Sequence, residues 1–155
     1  MESNSGIPIN KLDLNRPKLS IVIPCYNEAE NIPLLIRKLK AIINDEIEVI
    51  LVDNGSTDDT KEIMSNKLDI KLPLIKSVSI RNNIGYGHGI MVGVKETIGD
   101  IIAWTHADLQ THPRDVVNAF NIYIQNPDYD KSIIKGKRSG RNLFDSFFTF
   151  SMAII

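Results

Sequence analysis

The stretch with the richest chemistry is Ala103-Trp104-Thr105-His106-Ala107-Asp108-Leu109-Gln110-Thr111-His112-Pro113, where an apolar run gives way to side chains able to hold a cation. Asp108 and Gln110 supply hard oxygen atoms two positions apart. On an extended segment, residues i and i+2 point to the same side, as a shared oxygen-seeking ion requires. The preceding run Gly99-Asp100-Ile101-Ile102-Ala103-Trp104 reads as a buried strand. The polar cluster therefore falls at a strand's carboxyl end, where open α/β sheets bind ligands. Asp-x-x-x-His-Pro also suits plain turn chemistry, so the choice rests on what the other loops offer.

Two more strands end in polar loops. Leu19-Ser20-Ile21-Val22-Ile23-Pro24 is a β-branched run closed by proline, followed by Cys25-Tyr26-Asn27-Glu28-Ala29-Glu30. Ile47-Glu48-Val49-Ile50-Leu51-Val52 leads into Asp53-Asn54-Gly55-Ser56-Thr57-Asp58. Between them the period becomes helical, with Ile32, Leu35, Ile36 and Leu39 on one face, Asn31 in the N-cap position and Pro33 in the first turn. A helix over residues 59–66 and a third strand over 74–80 come next. Residues 81–89 form a glycine-rich turn opening a helix through Ile90, Val94 and Ile98. Beyond the Asp108 cluster, a helix over 113–125 places Val116, Val117, Phe120 and Ile124 inward, and 132–136 reads as a last short strand.

Strands alternating with helices at this spacing predict an α/β fold, a mostly parallel Rossmann-like sheet with helices on both faces and right-handed crossovers. In such a sheet the three polar loops emerge at one edge, so Tyr26, Glu28, Asp53 and Asp108 could line one cleft. On spacing alone, solvated loops with no ligand fit equally well.

Composition narrows the classes. The chain has 155 residues, 43% of them hydrophobic and 24% charged, enough for one core. A net charge of −1 gives no bulk attraction to nucleic acid, and none is expected as a partner. The single cysteine, Cys25, excludes an internal disulfide and a cysteine-based zinc site, and reads as a small buried residue. No run approaches the roughly 18 apolar residues of a membrane-spanning helix. Residues 1–17 are polar and read as a flexible tail. A dinucleotide-binding oxidoreductase is disfavoured, because Gly85-Tyr86-Gly87-His88-Gly89 follows the third strand and not the first.

Taken in order, Ile23-Pro24-Cys25-Tyr26-Asn27-Glu28 with Asn31-Ile32, Val52-Asp53-Asn54-Gly55-Ser56-Thr57-Asp58, Asn83-Ile84-Gly85, and Ala107-Asp108-Leu109-Gln110 with Pro113 resemble the motifs of the family 2 glycosyltransferases. Gly136-Lys137-Arg138-Ser139-Gly140-Arg141 and Leu143-Phe144-Asp145-Ser146-Phe147-Phe148 are similar to the family's polyprenyl-phosphate branch, the dolichol-phosphate mannosyltransferase-like enzymes. The resemblance runs from about Leu19 to the last residue.

It implies a GT-A fold over residues 18–142 and inverting transfer of a sugar from a UDP- or GDP-sugar to a polyprenyl (dolichol or undecaprenyl) phosphate. Pro24, Tyr26, Asn27, Glu28, Asp53, Gly55, Ser56, Asn83 and Gly85 would bind the nucleotide. Asp108, Gln110 and His106 would hold a divalent cation, Mn2+ or Mg2+. Lys137, Arg138 and Arg141 would face the acceptor phosphate, and Asp108 and Arg138 would carry catalysis. The implied location is the cytoplasm, peripheral at the inner face of the membrane.

Two departures from the family pattern matter. The metal motif is usually Asp-x-Asp-x-Gln, and here His106 occupies its first position. Imidazole suits Mn2+ better than Mg2+. The chain also stops inside an apolar stretch, so residues 143–155 are expected to begin a membrane-interfacial helix in a truncated chain. The alternatives are a family 2 transferase with a saccharide acceptor, or a catalytically silent nucleotide-binding fragment.

Overall fold

The structure is a computed structural model that describes residues 16–67, 74–126, 128 and 132–136. Its centre is β1 (Leu19–Cys25), flanked by β2 (Ile47–Asn54). Every residue of both strands is buried, as two-faced packing in a parallel sheet demands. With β3 (Ile75–Ile80) and β4 (Ile101–Trp104) they form a four-stranded parallel sheet in the order β3-β2-β1-β4. The mostly parallel α/β architecture is thus borne out. The order reverses at β1, which places a crevice between the carboxyl ends of β1 and β4.

Pro24 shows how that crevice arises. Lys18 and Val22 turn their carbonyls toward β4, accepting from Ile101 and Thr105, so every second residue of β1 faces that side. The β4 ladder ends at Val22↔Trp104. Pro24 therefore aims its missing N–H where β4 has already left the sheet, and no ladder bond is lost.

Helices cover both faces. On one face α1 (Ile32–Lys40), α2 (Thr60–Lys67) and the first two turns of α4 (Pro113–Ile124) bury Ile32, Leu35, Ile36, Leu39, Met64 and Phe120 against Leu19, Ile21, Ile23, Val49 and Leu51. On the other, α3 (Tyr86–Lys95) packs on Val22, Ile50 and Val52. Gly93 lets α3 sit close, since a Cβ there would run into Val22 and lie 2.9 Å from Val52. The chain divides into two compact units, residues 1–120 and 121–155.

Several expectations need correction. Asn31 occupies the N-cap position of α1 but makes no side-chain cap; its Nδ2 donates to the Glu28 carboxylate at 2.6 Å. α3 stops before Ile98, because the Ile98 and Gly99 amides donate to the buried Glu48 carboxylate. Residues 16 and 17 are not tail: the Arg16 guanidinium donates twice to the Ile98 carbonyl, at 2.9 and 2.6 Å, and Pro17 is buried. Residues 132–136 form no strand. Ser132 is tied locally to the Asp128 carbonyl and Asn126, and Ile133 is 90% exposed. The expected helix over 143–155 and the remaining tail, 1–15, lie outside the described residues.

At the amino edge of the sheet, Glu48 is fully buried and ties three elements together. Oε1 accepts from Ser20 Oγ at 2.6 Å and from the Ile98 and Gly99 amides, and Oε2 accepts from Lys76 Nζ at 3.2 Å. Burial pushes this carboxyl up, but the hydrogen bonds from Ile98, Ser20 and Lys76 and the charge of Lys76 outweigh it and hold it below the usual glutamate range.

Candidate functional site

At the carboxyl edge the loops after β1 and β2 are stitched together. Asn27 adopts φ 54°, and its Oδ1 accepts from the Thr57 amide at 2.9 Å while its own amide donates to Ser56 Oγ at 3.1 Å. The Glu28 amide donates to Thr60 Oγ1 at 2.8 Å, and the Ala29 amide to Asp58 Oδ2 at 3.2 Å. Burial raises the Asp58 carboxyl, yet hydrogen bonds from Thr60 and Ala29 together outweigh it and leave the group below the usual range. Asp53, 2% exposed, accepts the Ser56 amide at 3.0 Å and closes the turn after β2. Tyr26 is left 45% exposed beside this scaffold, free to meet a planar ligand.

The loop after β3 is drawn in by Asn54 and Gly55. Asn54 Nδ2 donates to the Gly85 carbonyl at 3.2 Å and to Asn83 Oδ1 at 3.4 Å, and Asn83 Oδ1 also accepts the Gly85 amide at 2.9 Å. Asn54 Oδ1 is buried and has no hydrogen-bond partner among the described residues. Gly55 has φ 72°, and a Cβ there would strike the Asn83 amide and lie 2.7 Å from the Asn82 carbonyl carbon. Gly55→Ala is expected to lower stability by at least about 2 kcal/mol, from left-handed strain plus backbone overlap. Thermal unfolding should show the loss, and nucleotide titration should show weakened binding as residues 82–85 are pushed outward.

The third loop begins where β4 ends. Tyr86, the first residue of α3, stacks on His106 with ring centroids 4.8 Å apart and planes 13° from parallel, and its hydroxyl reaches the Thr105 carbonyl at 3.5 Å. Burial, and then the Asp108 charge, push the Tyr86 phenol up. Asp108 is half-buried between Ala107 and Leu109, which pack toward the core. The segment is not extended as expected: Leu109 has φ 59°, and the Gln110 amide donates to Asp108 Oδ1 at 3.0 Å. Asp108 and Gln110 are therefore joined by a side-chain-to-backbone turn and not by strand alternation.

The structure thus brings the nucleotide-binding candidates from Pro24 to Gly85 onto one edge of the sheet, with Asp108, Gln110 and His106 at the end of the neighbouring strand. Lys137, Arg138 and Arg141 lie outside the described residues. Cys25 is fully buried; desolvation, then the charges of Glu28 and Asp53, push its thiol far up, so it serves packing and not nucleophilic attack. Sequence reasoning missed Asn54, Thr60 and Tyr86 as site residues. Their signal was position alone: Asn54 lies within the Val52-to-Asp58 motif, Tyr86 directly follows Gly85, and Thr60 comes two residues after Asp58.

Among the described residues no three His, Cys, Asp or Glu side chains form a group that could hold a metal. The donor set at Asp108 still fits a divalent ion that takes further ligands from a bound anion. Stacking engages the face of the His106 ring, leaving its nitrogens at the edge, and one carboxylate, Asp108, and one amide oxygen, on Gln110, follow it in the chain. Such a mixed nitrogen and oxygen set suits Mn2+ better than Mg2+.

Residues 20–145 match the family described as Glycosyl transferase family 2. The chain belongs to that family. Among its relatives, the undecaprenyl-phosphate 4-deoxy-4-formamido-L-arabinose transferase of Yersinia pestis (strain Pestoides F) is 33% identical over 142 residues, covering 88% of this chain and 42% of that protein. The protein of the same name from Enterobacter sp. (strain 638) is 36% identical over 102 residues, covering 64% and 31%. This family 2 chain therefore spans less than half the length of these relatives. Among solved structures, the mannosyltransferase PcManGT from Pyrobaculum calidifontis, in complex with GDP-Man and Mn2+, superposes with a TM-score of 0.62 at 25% identity, covering 72% of this chain and 33% of that one. The fold of this family 2 member is the GT-A glycosyltransferase fold.

Proposed function

We propose that the protein is an inverting, metal-dependent glycosyltransferase that moves a sugar from a UDP- or GDP-sugar to a polyprenyl phosphate at the inner face of the cytoplasmic membrane. The observation that carries this reading is the convergence of the loops after β1, β2 and β3 with the Asp108 turn at the β1/β4 crevice. Support comes from the two relatives, both named as undecaprenyl-phosphate 4-deoxy-4-formamido-L-arabinose transferases, and from the GDP-Man and Mn2+ held by the Pyrobaculum mannosyltransferase. Among the described residues no helix is long and apolar enough to cross a membrane, and in this reading attachment is peripheral.

In this account Tyr26, Glu28 and Pro24 receive the base and ribose. Asp53 binds the nucleotide, and Asn27, Gly55, Ser56, Asn83 and Gly85 shape the backbone around it. Asp108, Gln110 and His106 hold Mn2+ or Mg2+, and when bound the ion offsets negative charge on the diphosphate leaving group as a Lewis acid. An oxygen of the acceptor phosphate attacks the anomeric carbon opposite the diphosphate, and the new C–O bond forms as the old one breaks with its electron pair leaving on the diphosphate. A phosphate monoester, with its second pKa near ~6, is already ionised at neutral pH and needs no carboxylate base. In this reading Lys137, Arg138 and Arg141 position that dianion, and Arg138 shares the catalytic role with Asp108.

The test is incubation with UDP- and GDP-sugars, undecaprenyl phosphate and Mn2+, following labelled sugar into lipid. Transfer from one nucleotide class to the lipid phosphate is expected. Transfer to soluble saccharides instead would favour the saccharide-acceptor alternative. Nucleotide binding with no turnover would mark a silent module.

A further inference from the structure

An open surface pocket of about 430 Å3 lies on the face of the sheet covered by α1 and α4, lined by Arg37, Lys38, Ala41, His112, Arg114 and Asp115. It shares no residue with the nucleotide, metal or acceptor assignments. Three fixed cations surround it against one carboxylate, and that carboxylate already accepts the His112 amide at 3.2 Å. The ion pairs among the described residues, Lys18 with Glu46 and Lys76 with Glu48, involve none of Arg37, Lys38 and Arg114, so the lining keeps an excess of positive charge over Asp115. His112 adds a directed donor. Its Nδ1 accepts the Arg114 amide at 3.1 Å, so in the neutral ring the proton sits on Nε2. Like charges gathered round a cavity repel one another unless an anion joins them.

We propose that this cavity is a binding site for a phosphate-bearing anion, separate from the donor site. Two guanidinium groups from different helices offer paired N–H donors matched to phosphate oxygens, Lys38 adds a point charge, and the His112 Nε2–H adds a fourth contact. The first-turn amides of His112 and Arg114 are already engaged by Asp115 and His112, so recognition falls to the side chains. A volume of about 430 Å3 exceeds what bare phosphate needs and accommodates a small ester such as a glycerophosphate group. That group could belong to an anionic lipid headgroup or to a soluble phosphate ester, and the two sources separate experimentally.

Glycerol 3-phosphate is titrated into the 155-residue chain at constant ionic strength with chloride as reference, and the amide signals of His112, Arg114 and Asp115 are followed by NMR. Saturable shifts are expected, with affinity falling about tenfold for Arg37→Ala and again for Arg114→Ala. Nucleotide binding at the carboxyl edge should be unchanged in both variants, which shows that they are folded. Co-sedimentation with phosphatidylcholine vesicles, with and without phosphatidylglycerol, then identifies the source. Binding to the anionic vesicles that both variants lose points to a headgroup. Vesicle binding equal in wild type and variants, with the soluble ester still bound at residues 112–115, points to a free ester. Shifts no larger than those from chloride, or variants that bind the ester as wild type does, overturn the proposal.

Discussion

Asp108→Ala is expected to abolish the gain in nucleotide affinity that Mn2+ confers, a loss of about a hundredfold, while leaving metal-free binding nearly intact. Asp108 is the only carboxylate between Thr105 and His112, and no further acidic side chain joins it in a metal-holding group among the described residues. Asp108→Asn separates the charge from the turn, because an amide oxygen can still accept the Gln110 amide. Calorimetric titration of UDP and GDP, with Mn2+ or with chelator, should find the asparagine variant nearly as impaired as the alanine variant. Recovery of most of the metal-dependent gain in Asp108→Asn would mean that the carboxylate serves the turn and not the ion.

Glu48→Ala is expected to destabilise the fold by about 3 kcal/mol or more, since it strips buried Ser20 Oγ and the Ile98 amide of their acceptor and leaves the Gly99 amide only Ser20 Oγ. Chemical denaturation reads the loss directly. The same carboxylate sets an acid limit. Its pKa is lower in the folded chain than the ordinary 4.5, so its stabilisation is complete above that value and disappears as the pH falls toward the folded pKa. Wild-type stability should therefore drop on acidification below about pH 4.5, and Glu48→Gln should flatten that part of the profile. A Gln variant with the wild-type pH dependence would assign the acid sensitivity to other groups.

Legibility in the sequence followed how local each determinant was. The buried strands announced themselves, because Ile21, Val22 and Ile23 or Ile50, Leu51 and Val52 are apolar whichever face they meet. The face of α1 was readable from Ile32, Leu35, Ile36 and Leu39, all buried as expected. Convergence of the polar loops followed from parallel pairing alone. Glu48 gave no such signal: inside Ile-Glu-Val-Ile it looks like a solvent-facing interruption, and its partners lie 28 to 51 residues away. The left-handed turn at Leu109 was hidden for a related reason, since a leucine rarely adopts positive φ and does so here with its side chain packed against the core. Ser132-Ile133-Ile134 illustrates the converse, where apolar residues that suit a strand find no ladder among the described residues.

Paramagnetic NMR tests the central assignment most directly. Substoichiometric Mn2+ is added to the chain in the presence of UDP or GDP, and backbone amide signals are followed residue by residue. Broadening is expected first at Asp108, Leu109 and Gln110, then at the turn after β2, with the Glu48 network at the opposite sheet edge spared and the whole pattern absent in Asp108→Ala. Broadening centred away from residues 106–110, or unchanged by that substitution, would contradict the account.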